Sequence, residues 1–145
     1  MFIKEVELFH GIPSHIIDEI AKFVIEENFL AGHFLFQEGD FAEFLYILEE
    51  GAIDIVIHGQ EGKRISFLLD KTGLVFGWSA LIEPNRYTAS AECVKESKVI
   101  KIDGERLLRT FERYPAHGMT IIKRLAGIIA DRLMKCYHEI IAIKK

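Results

Sequence analysis

The sequence predicts one α+β domain that is mainly β: a β-sandwich or barrel in residues 28–102, with helices in residues 1–27 and 103–145. A chain of 145 residues has the length of a single domain. Its middle consists of short runs rich in Ile, Val, Phe, Leu and Tyr, separated by glycines. Its two ends instead repeat apolar residues at helical spacing. A mixed α+β sheet is the alternative for the middle, but no helical period interrupts it.

The N-terminal segment contains one clear helical pattern, in PSHIIDEIAKFVIE. Pro13 ends any earlier helix, and Ser14 is placed to cap the next one. The apolar residues that follow at helical spacing are Ile16, Ile17, Ile20, Phe23 and Val24.

The C-terminal segment predicts a short helix and then a long one. Asp103 is placed as an N-cap, with Glu105 one position short of a capping box. The short helix runs to about Tyr114, and Pro115 breaks it or begins the next. The residues after Pro115 contain no further proline, which predicts one long helix to the end of the chain.

The long helix carries two apolar faces. One is a heptad seam, which predicts a homodimer through residues 117–143, although packing within one chain is the alternative. The seam consists of Met119, Ala126, Leu133 and Ile140 in one position and Ile122, Ile129, Cys136 and Ile143 in the other. The second face, Ile121, Leu125 and Ile128, is expected to pack on the same protomer.

Composition excludes several classes of protein. With 50% hydrophobic and 28% charged residues the chain is globular rather than disordered, and no apolar run is long enough to span a membrane. The N-terminus does not have the pattern of a signal peptide, and two cysteines make no disulfide framework, so we expect a cytoplasmic protein. Residues 101–145 carry ten Lys/Arg and five Asp/Glu, against eight and 17 before them. A basic tail is compatible with nucleic acid, but a solvated helix with mixed charges is the favoured interpretation.

Residues 73–94, GLVFGWSALIEPNRYTASAECV, form the most informative stretch. They predict a strand, a helical turn over Gly77–Ile82, a Pro-Asn turn and a second strand. Gly77 allows close approach of a ligand, Arg86 can bind an anion through two hydrogen bonds, and Thr88 adds a hydroxyl. The turn adds outward-pointing amides, those of Trp78, Ser79 and Ala80. The alternative for Arg86 is an ordinary surface arginine.

This stretch resembles the phosphate-binding cassette of cyclic nucleotide-binding domains, with Phe-Gly-Trp-Ser-Ala-Leu at 76–81 and Arg-Tyr-Thr-Ala at 86–89. LFHGIP, FLFQEGD, LYILEEGAIDI and KVIKIDGERLLRTFERYP are similar to other parts of the same family. The resemblance implies a double-stranded β-helix jelly-roll barrel with N-terminal helices and a long C-terminal dimerisation helix. It also implies a cyclic nucleotide or another small anion as ligand, bound by residues 77–80 and 86–88.

Two residues depart from the family's pattern. Trp78 stands where the family has an acidic residue that accepts hydrogen bonds from a ribose hydroxyl, and an indole has no acceptor. Tyr87 replaces a small residue beside the arginine. We therefore expect Arg86 to face the desolvated interior of the barrel and keep the phosphate contact, while Trp78 blocks ordinary cyclic nucleotides. The resemblance further places a contact to the base near Tyr137, which could equally pack on the barrel.

Other functions lack their motifs. The six histidines show no metal-binding spacing, and Cys93 and Cys136 read as small buried residues rather than nucleophiles, so we expect no metal site and no enzyme. No recognition helix follows the long helix, so we expect no DNA-binding domain in this chain. Two interpretations remain open: a regulatory module that senses a small anion and signals through the C-terminal helix, and a ligand-free module for dimerisation or docking to a partner protein.

Overall fold

The computed structural model describes residues 2–144, and side chains from residue 3 to residue 142. It contains three α-helices, which are α1 (Ser14–Ala21), α2 (Gly104–Arg113) and α3 (Pro115–Lys144). Short 3-10 helices occur at Phe2–Glu5, Glu7–Phe9 and Trp78–Leu81. The strands are β1 (Val24–Phe29), β2 (Phe34–Phe36), β3 (Phe44–Glu50), β4 (Ile53–His58), β5 (Arg64–Leu69), β6 (Val75–Phe76), β7 (Ser90–Cys93) and β8 (Ser97–Asp103).

The eight strands form two antiparallel sheets of four. Their orders are β1-β8-β3-β6 and β2-β7-β4-β5, so most neighbours in a sheet are distant in sequence. This strand order is that of a jelly roll, in which the chain crosses repeatedly between two sheets. The predicted fold class is confirmed, with helices at both ends of the β region.

The helix boundaries follow the signals in the sequence with two exceptions. The Asp103 carboxylate accepts a hydrogen bond from the Arg106 amide at 3.0 Å, so the predicted cap of α2 is present. α3 begins at Pro115 and runs to Lys144, and Lys145, the last residue of the predicted helix, lies outside the described residues. In contrast, Ser14 is the first helical residue and does not act as the cap. β1 also begins at Val24, before the expected start of the β region at residue 28, because that segment pairs with β8.

Two hydrophobic clusters lie on either side of the first sheet. The helix-side cluster is mostly aliphatic and joins the N-terminal segment, β3, β8, α2 and α3; its largest buried members are Ile3, Leu8, Phe9, Ile16, Ile17, Ile20, Leu45, Ile47 and Ile102. The cassette-side cluster is rich in aromatic rings and includes Phe36, Tyr46, Leu48, Ile53, Phe76, Tyr87 and Val99.

The two faces of α3 differ as the sequence predicted. Ile121 and Leu125 are buried, and Ile128 packs against the helix-side cluster. The seam residues are exposed or partly buried in the single chain: Met119, Ile122, Ala126, Ile129, Leu133, Cys136 and Ile140. Ile143, the last predicted seam residue, lies outside the described side chains.

Within residues 2–144, none of the helices is both long enough and apolar enough to cross a membrane. α3 reaches 30 residues, but charged residues recur along its length.

Candidate ligand-binding site

The predicted cassette folds as a strand end, a 3-10 turn and an extended segment. Gly77 has a φ of 76°, and a Cβ there would lie 2.9 Å from the Tyr46 ring and 3.2 Å from the Phe44 carbonyl, so only glycine fits. The turn over Trp78–Leu81 follows at once. The side-chain amide of Asn85 donates to the carbonyls of Ser79 (3.2 Å) and Ala80 (3.3 Å), which holds the turn against the chain that follows it.

The extended segment after the turn decides which side chains point inward. The backbone of residues 85–87 pairs with residues 39–42: the Ala42 amide donates to the Asn85 carbonyl (2.7 Å) and the Gly39 amide to the Tyr87 carbonyl (2.8 Å). Neighbouring side chains on an extended chain point to opposite faces. Tyr87 is accordingly buried, whereas Arg86 and Thr88 are exposed.

The expectation that Arg86 faces a desolvated interior is therefore wrong, because the neighbouring Tyr87 takes the inward position. Arg86 does not line the cassette cavity. Its guanidinium makes no hydrogen bond or ion pair with any side chain that the structure describes. Its role in binding an anion stays a prediction.

Tyr87 fills much of the space between the sheets. Its ring stacks on Phe36 with centroids 3.7 Å apart, and Tyr46 stacks on Phe76 beside this pair at 5.2 Å. The Tyr87 hydroxyl donates to the Phe44 carbonyl at 2.7 Å, which fixes the ring. Burial raises the pKa of Tyr87 to about 12, so the hydroxyl stays protonated at neutral pH.

The space that remains in the cassette is small. The cavity has a volume of about 40 Å³. Its lining combines aromatic rings with the cassette residues: Phe36, Ile55, Phe76, Gly77, Trp78, Ser79, Tyr87, Thr88, Ala89 and Arg132. Sites for drug-sized ligands typically enclose ~300–1,000 Å³, and one water needs ~10–15 Å³. This cavity thus has room for a few waters or a small ion, and not for a whole nucleotide.

The charged group that does reach the cavity comes from α3. The guanidinium carbon of Arg132 lies 4.8 Å from the centroid of the Trp78 ring, in a cation–π contact. Burial lowers the pKa of Arg132 to about 10, partly opposed by the neighbouring Asp131 carboxylate. The side chain therefore remains a cation at neutral pH although it is largely withdrawn from water.

Sequence reasoning missed Arg132, yet the signal was present. Ile121, Leu125 and Ile128 define the stripe of α3 that packs on the body, and Arg132 is the next residue at the same helical spacing. When only apolar residues are counted, this packing face of α3 ends at Ile128, one turn before Arg132. Tyr137, the residue predicted to contact a base, is half exposed and does not line the cavity.

Of the remaining predicted residues, Ser79 lines the cavity and Ala80 does not. Ser79 is half buried and Ala80 is buried. The Ala80 amide donates to the Gly77 carbonyl at 3.3 Å, so this predicted anion donor is already used within the turn.

A model of the family described as "Cyclic nucleotide-binding domain" matches residues 26–114, which include all eight strands except the start of β1. The chain belongs to the cyclic nucleotide-binding domain family. The matched range includes the whole of residues 73–94, so the departures at Trp78 and Tyr87 fall inside it.

Three relatives illustrate the range of proteins similar to this chain. The "Cyclic AMP receptor protein" of Thermus thermophilus is 24% identical over 95% of the chain, and "Cyclic nucleotide-gated channel beta-3" of Canis lupus familiaris is 25% identical over 90%. The chain spans 62% of the first protein's length and 17% of the second's. A solved structure, a putative cyclic nucleotide-binding protein from Geobacter metallireducens, is 27% identical, with a TM-score of 0.79 over 90% of this chain and 95% of that one.

Other chemistry has little support in the part of the chain that the structure describes. No group of three or more His, Cys, Asp or Glu side chains there is arranged to hold a metal ion. Cys93 is buried in β7, and burial raises the pKa of its thiol, which disfavours the nucleophilic thiolate.

Proposed function

We propose that this chain is a non-enzymatic regulatory module that senses a small anionic ligand at the cassette and signals through α3. One observation supports this proposal most: Arg132, a side chain of α3, lines the same cavity as Gly77, Trp78 and Thr88. A ligand that contacts both the cassette and Arg132 would favour one position of the helix, which is how binding is coupled to a conformational change.

Ordinary cyclic nucleotides are poor candidates for the ligand. The 40 Å³ cavity is too small, Tyr87 and Phe36 fill the interior, and Trp78 offers no acceptor to a ribose hydroxyl. A cyclic nucleotide would have to displace a stacked aromatic pair. The proposal is therefore a smaller anion, or a ligand whose anionic group alone enters the cassette.

A thermal-shift screen tests this proposal. The screen compares cyclic AMP, cyclic GMP, cyclic dinucleotides and small organic anions at matched ionic strength. A ligand at 100 times its dissociation constant adds ~2.7 kcal/mol to the free energy of unfolding, a readily measured shift. We expect stabilisation by a small anion and none by cyclic AMP. Stabilisation by no anion would overturn the sensor proposal, and tight binding of cyclic AMP would overturn the ligand class.

The second candidate is a ligand-free module for dimerisation or docking to another protein. It is supported by the exposed apolar face of α3, where large side chains lie in water in the single chain. These are Met119, Ile122, Leu133, Met134, Tyr137, Ile140 and Ile141. A contiguous apolar surface of this kind typically marks an interface, and we propose a homodimer in the cytoplasm through residues 117–143 in either candidate.

Sedimentation analysis tests the homodimer. Glutamates at Ile129 and Leu133 place two like charges on each side of the proposed seam, so the double variant is expected to be a monomer. A control with glutamates at Lys123 and His138, both exposed and outside the seam, should remain a dimer. A monomeric wild type, or a dimeric Ile129→Glu/Leu133→Glu variant, would exclude this interface.

A further inference from the structure

Arg132 differs from every other polar side chain in the described part of the chain. Its Nη1 atom is inaccessible to solvent and has no hydrogen-bond acceptor, which is true of no other described side-chain nitrogen or oxygen. Buried polar groups are almost always paired, and buried cations especially so. This unpaired guanidinium nitrogen therefore needs a hydrogen-bond acceptor, which a water or an anionic oxygen can supply.

A second arginine of the same helix shows what a structural role looks like. Arg124 lies two turns earlier on α3, and its Nη1 atom donates to the carbonyls of Leu8 (3.1 Å) and His10 (2.6 Å). These hydrogen bonds hold α3 to the N-terminal segment and give the Nη1 atom of Arg124 its acceptors. Arg132 makes no such contact, and the adjacent Asp131 pairs instead with Lys135 at 3.0 Å.

The acidic side chains around Arg132 leave it without an ion pair among the described residues. Glu7, Asp70 and Asp131 line the adjoining cleft, but none lies within ion-pair distance of its guanidinium. The Trp78 ring, 4.8 Å from the guanidinium carbon, offers no hydrogen-bond acceptor atom. Nη1 therefore has no acceptor among the described residues.

We propose that Arg132, rather than Arg86, is the residue that binds the anion, and that its ligand is an oxyanion group such as phosphate, sulfate or carboxylate. This inference rests on the proposed sensor function and assigns the anion site within it. A guanidinium suits such a group because its parallel N–H donors match two oxygens. Trp78 then serves as a platform that orients Arg132.

The surrounding space fits a small anionic group with a route to solvent. Arg132 lines both the 40 Å³ cassette cavity and a cleft of about 730 Å³ between α3, the N-terminal segment and the β5–β6 connection. An oxyanion that enters through the cleft would require the Arg132 side chain to shift, because Nη1 is closed to solvent in this structure. A larger molecule can keep its remainder in the cleft, where Lys71 adds positive charge while Lys135 is already paired with Asp131.

Trp78 makes the test direct, because it is the protein's single tryptophan. Titrating sodium phosphate, and separately adenosine monophosphate, against sodium chloride at equal ionic strength should change the Trp78 fluorescence saturably. The tighter of the two ligands identifies the source of the oxyanion as free phosphate or as a phosphate carried on a larger molecule.

Variants of Arg132, compared with a control variant of Arg109, test whether Arg132 binds the anion. Arg132→Met replaces a buried cation by an apolar side chain of similar length, which buried sites usually tolerate. It should fold, be at least as thermostable as the wild type, and weaken anion binding at least tenfold; Arg132→Lys, which lacks the planar donors, should also weaken it. Arg109→Gln, at an exposed arginine of α2, is the matched control and should bind within twofold of the wild type.

The outcomes distinguish the inference from the proposed function. Loss of anion binding in Arg86→Gln but not in Arg132→Met would overturn the assignment to Arg132 and leave the sensor function intact. Any ligand from the thermal-shift screen whose affinity survives Arg132→Met would do the same. Absence of any saturable response in the wild type, in both assays, would overturn the two together.

Discussion

The helix-side and cassette-side clusters share a sheet but are built differently. On the helix side, Ile47 and Ile102 are wholly buried among other aliphatic chains, and α1, α2 and α3 close over them. On the cassette side, the aromatic rings of Phe36 and Tyr87 stack, and a small cavity remains beside them. The guanidinium of Arg132, which lacks a partner for Nη1, lines this cavity. The helix-side face of the sheet is filled by apolar packing, which stabilises the fold. The cassette-side face keeps a cavity and an unpaired guanidinium, and departures of this kind from good packing are expected at functional sites.

The largest expected effect lies on the helix side. Ile47→Ala deletes a wholly buried side chain from β3, between the partners Val75 and Ile100. The lost burial and the cavity left behind should lower the free energy of unfolding by ~2–5 kcal/mol. Urea denaturation measures this loss.

A matched truncation on the surface sharpens the result. Leu68→Ala removes a similar number of atoms from β5, where the side chain is 55% exposed. It should change the free energy of unfolding by no more than ~0.5 kcal/mol. Equal losses in the two variants would show that burial in the helix-side cluster does not govern stability.

An intermediate effect is expected on the cassette side, in affinity rather than stability. Trp78→Glu supplies the acceptor that the family's pattern has, but Tyr87 still occupies the interior. The double variant Trp78→Glu/Tyr87→Ser removes both obstacles and should bind cyclic AMP more tightly than Trp78→Glu alone. One regained hydrogen bond to a charged group is worth ~1.5–3 kcal/mol, or tenfold and more in affinity by calorimetry.

The control for this comparison is Trp78→Glu/Tyr137→Ser, since Tyr137 is half exposed on α3 and outside the cavity. It should bind cyclic AMP no better than Trp78→Glu. If its affinity for cyclic AMP rises as much as that of Trp78→Glu/Tyr87→Ser, then Tyr87 is not what blocks cyclic AMP. Thermal melts of each variant must first establish that it is folded at the temperature of the calorimetry.

The same contrast explains what the sequence could predict. Periodicity and turn residues predicted a β-sandwich or barrel, the Asp103 cap and the two faces of α3, because these depend on spacing along the chain. The jelly roll followed from the family resemblance. The prediction that Arg86 points inward was wrong. Its direction depends on the backbone pairing of residues 85–87 with residues 39–42, which sequence alone does not reveal. Arg132 was missed because a charged residue on a packing stripe is recognised only when its surroundings in space are known.

The smallest expected effect concerns a single hydroxyl in the cassette-side cluster. Tyr87→Phe keeps the stacked ring but loses the hydrogen bond that the hydroxyl donates to the Phe44 carbonyl (2.7 Å) and the longer one that it accepts from the Phe44 amide (3.3 Å). The stronger of the two should contribute ~0.5–1.5 kcal/mol at pH 7. Burial raises the pKa of Tyr87 to about 12, against ~10 for tyrosine in an unfolded chain. Between these values the unfolded chain releases the proton while the folded one keeps it, so rising pH favours unfolding. The hydroxyl's contribution is thus complete below pH 10 and is lost as the pH rises through 12.

The difference in free energy of unfolding between wild type and Tyr87→Phe should therefore narrow above pH 10, because only the wild type has this titrating group. Urea denaturation at pH 7, 9, 10 and 11 measures the difference, with Tyr137→Phe as the control at an exposed tyrosine. A difference that stays constant over this range would show that the Tyr87 hydroxyl is not buried and bonded. In that case the Tyr87 ring would be free to leave the cassette and would not block cyclic nucleotides.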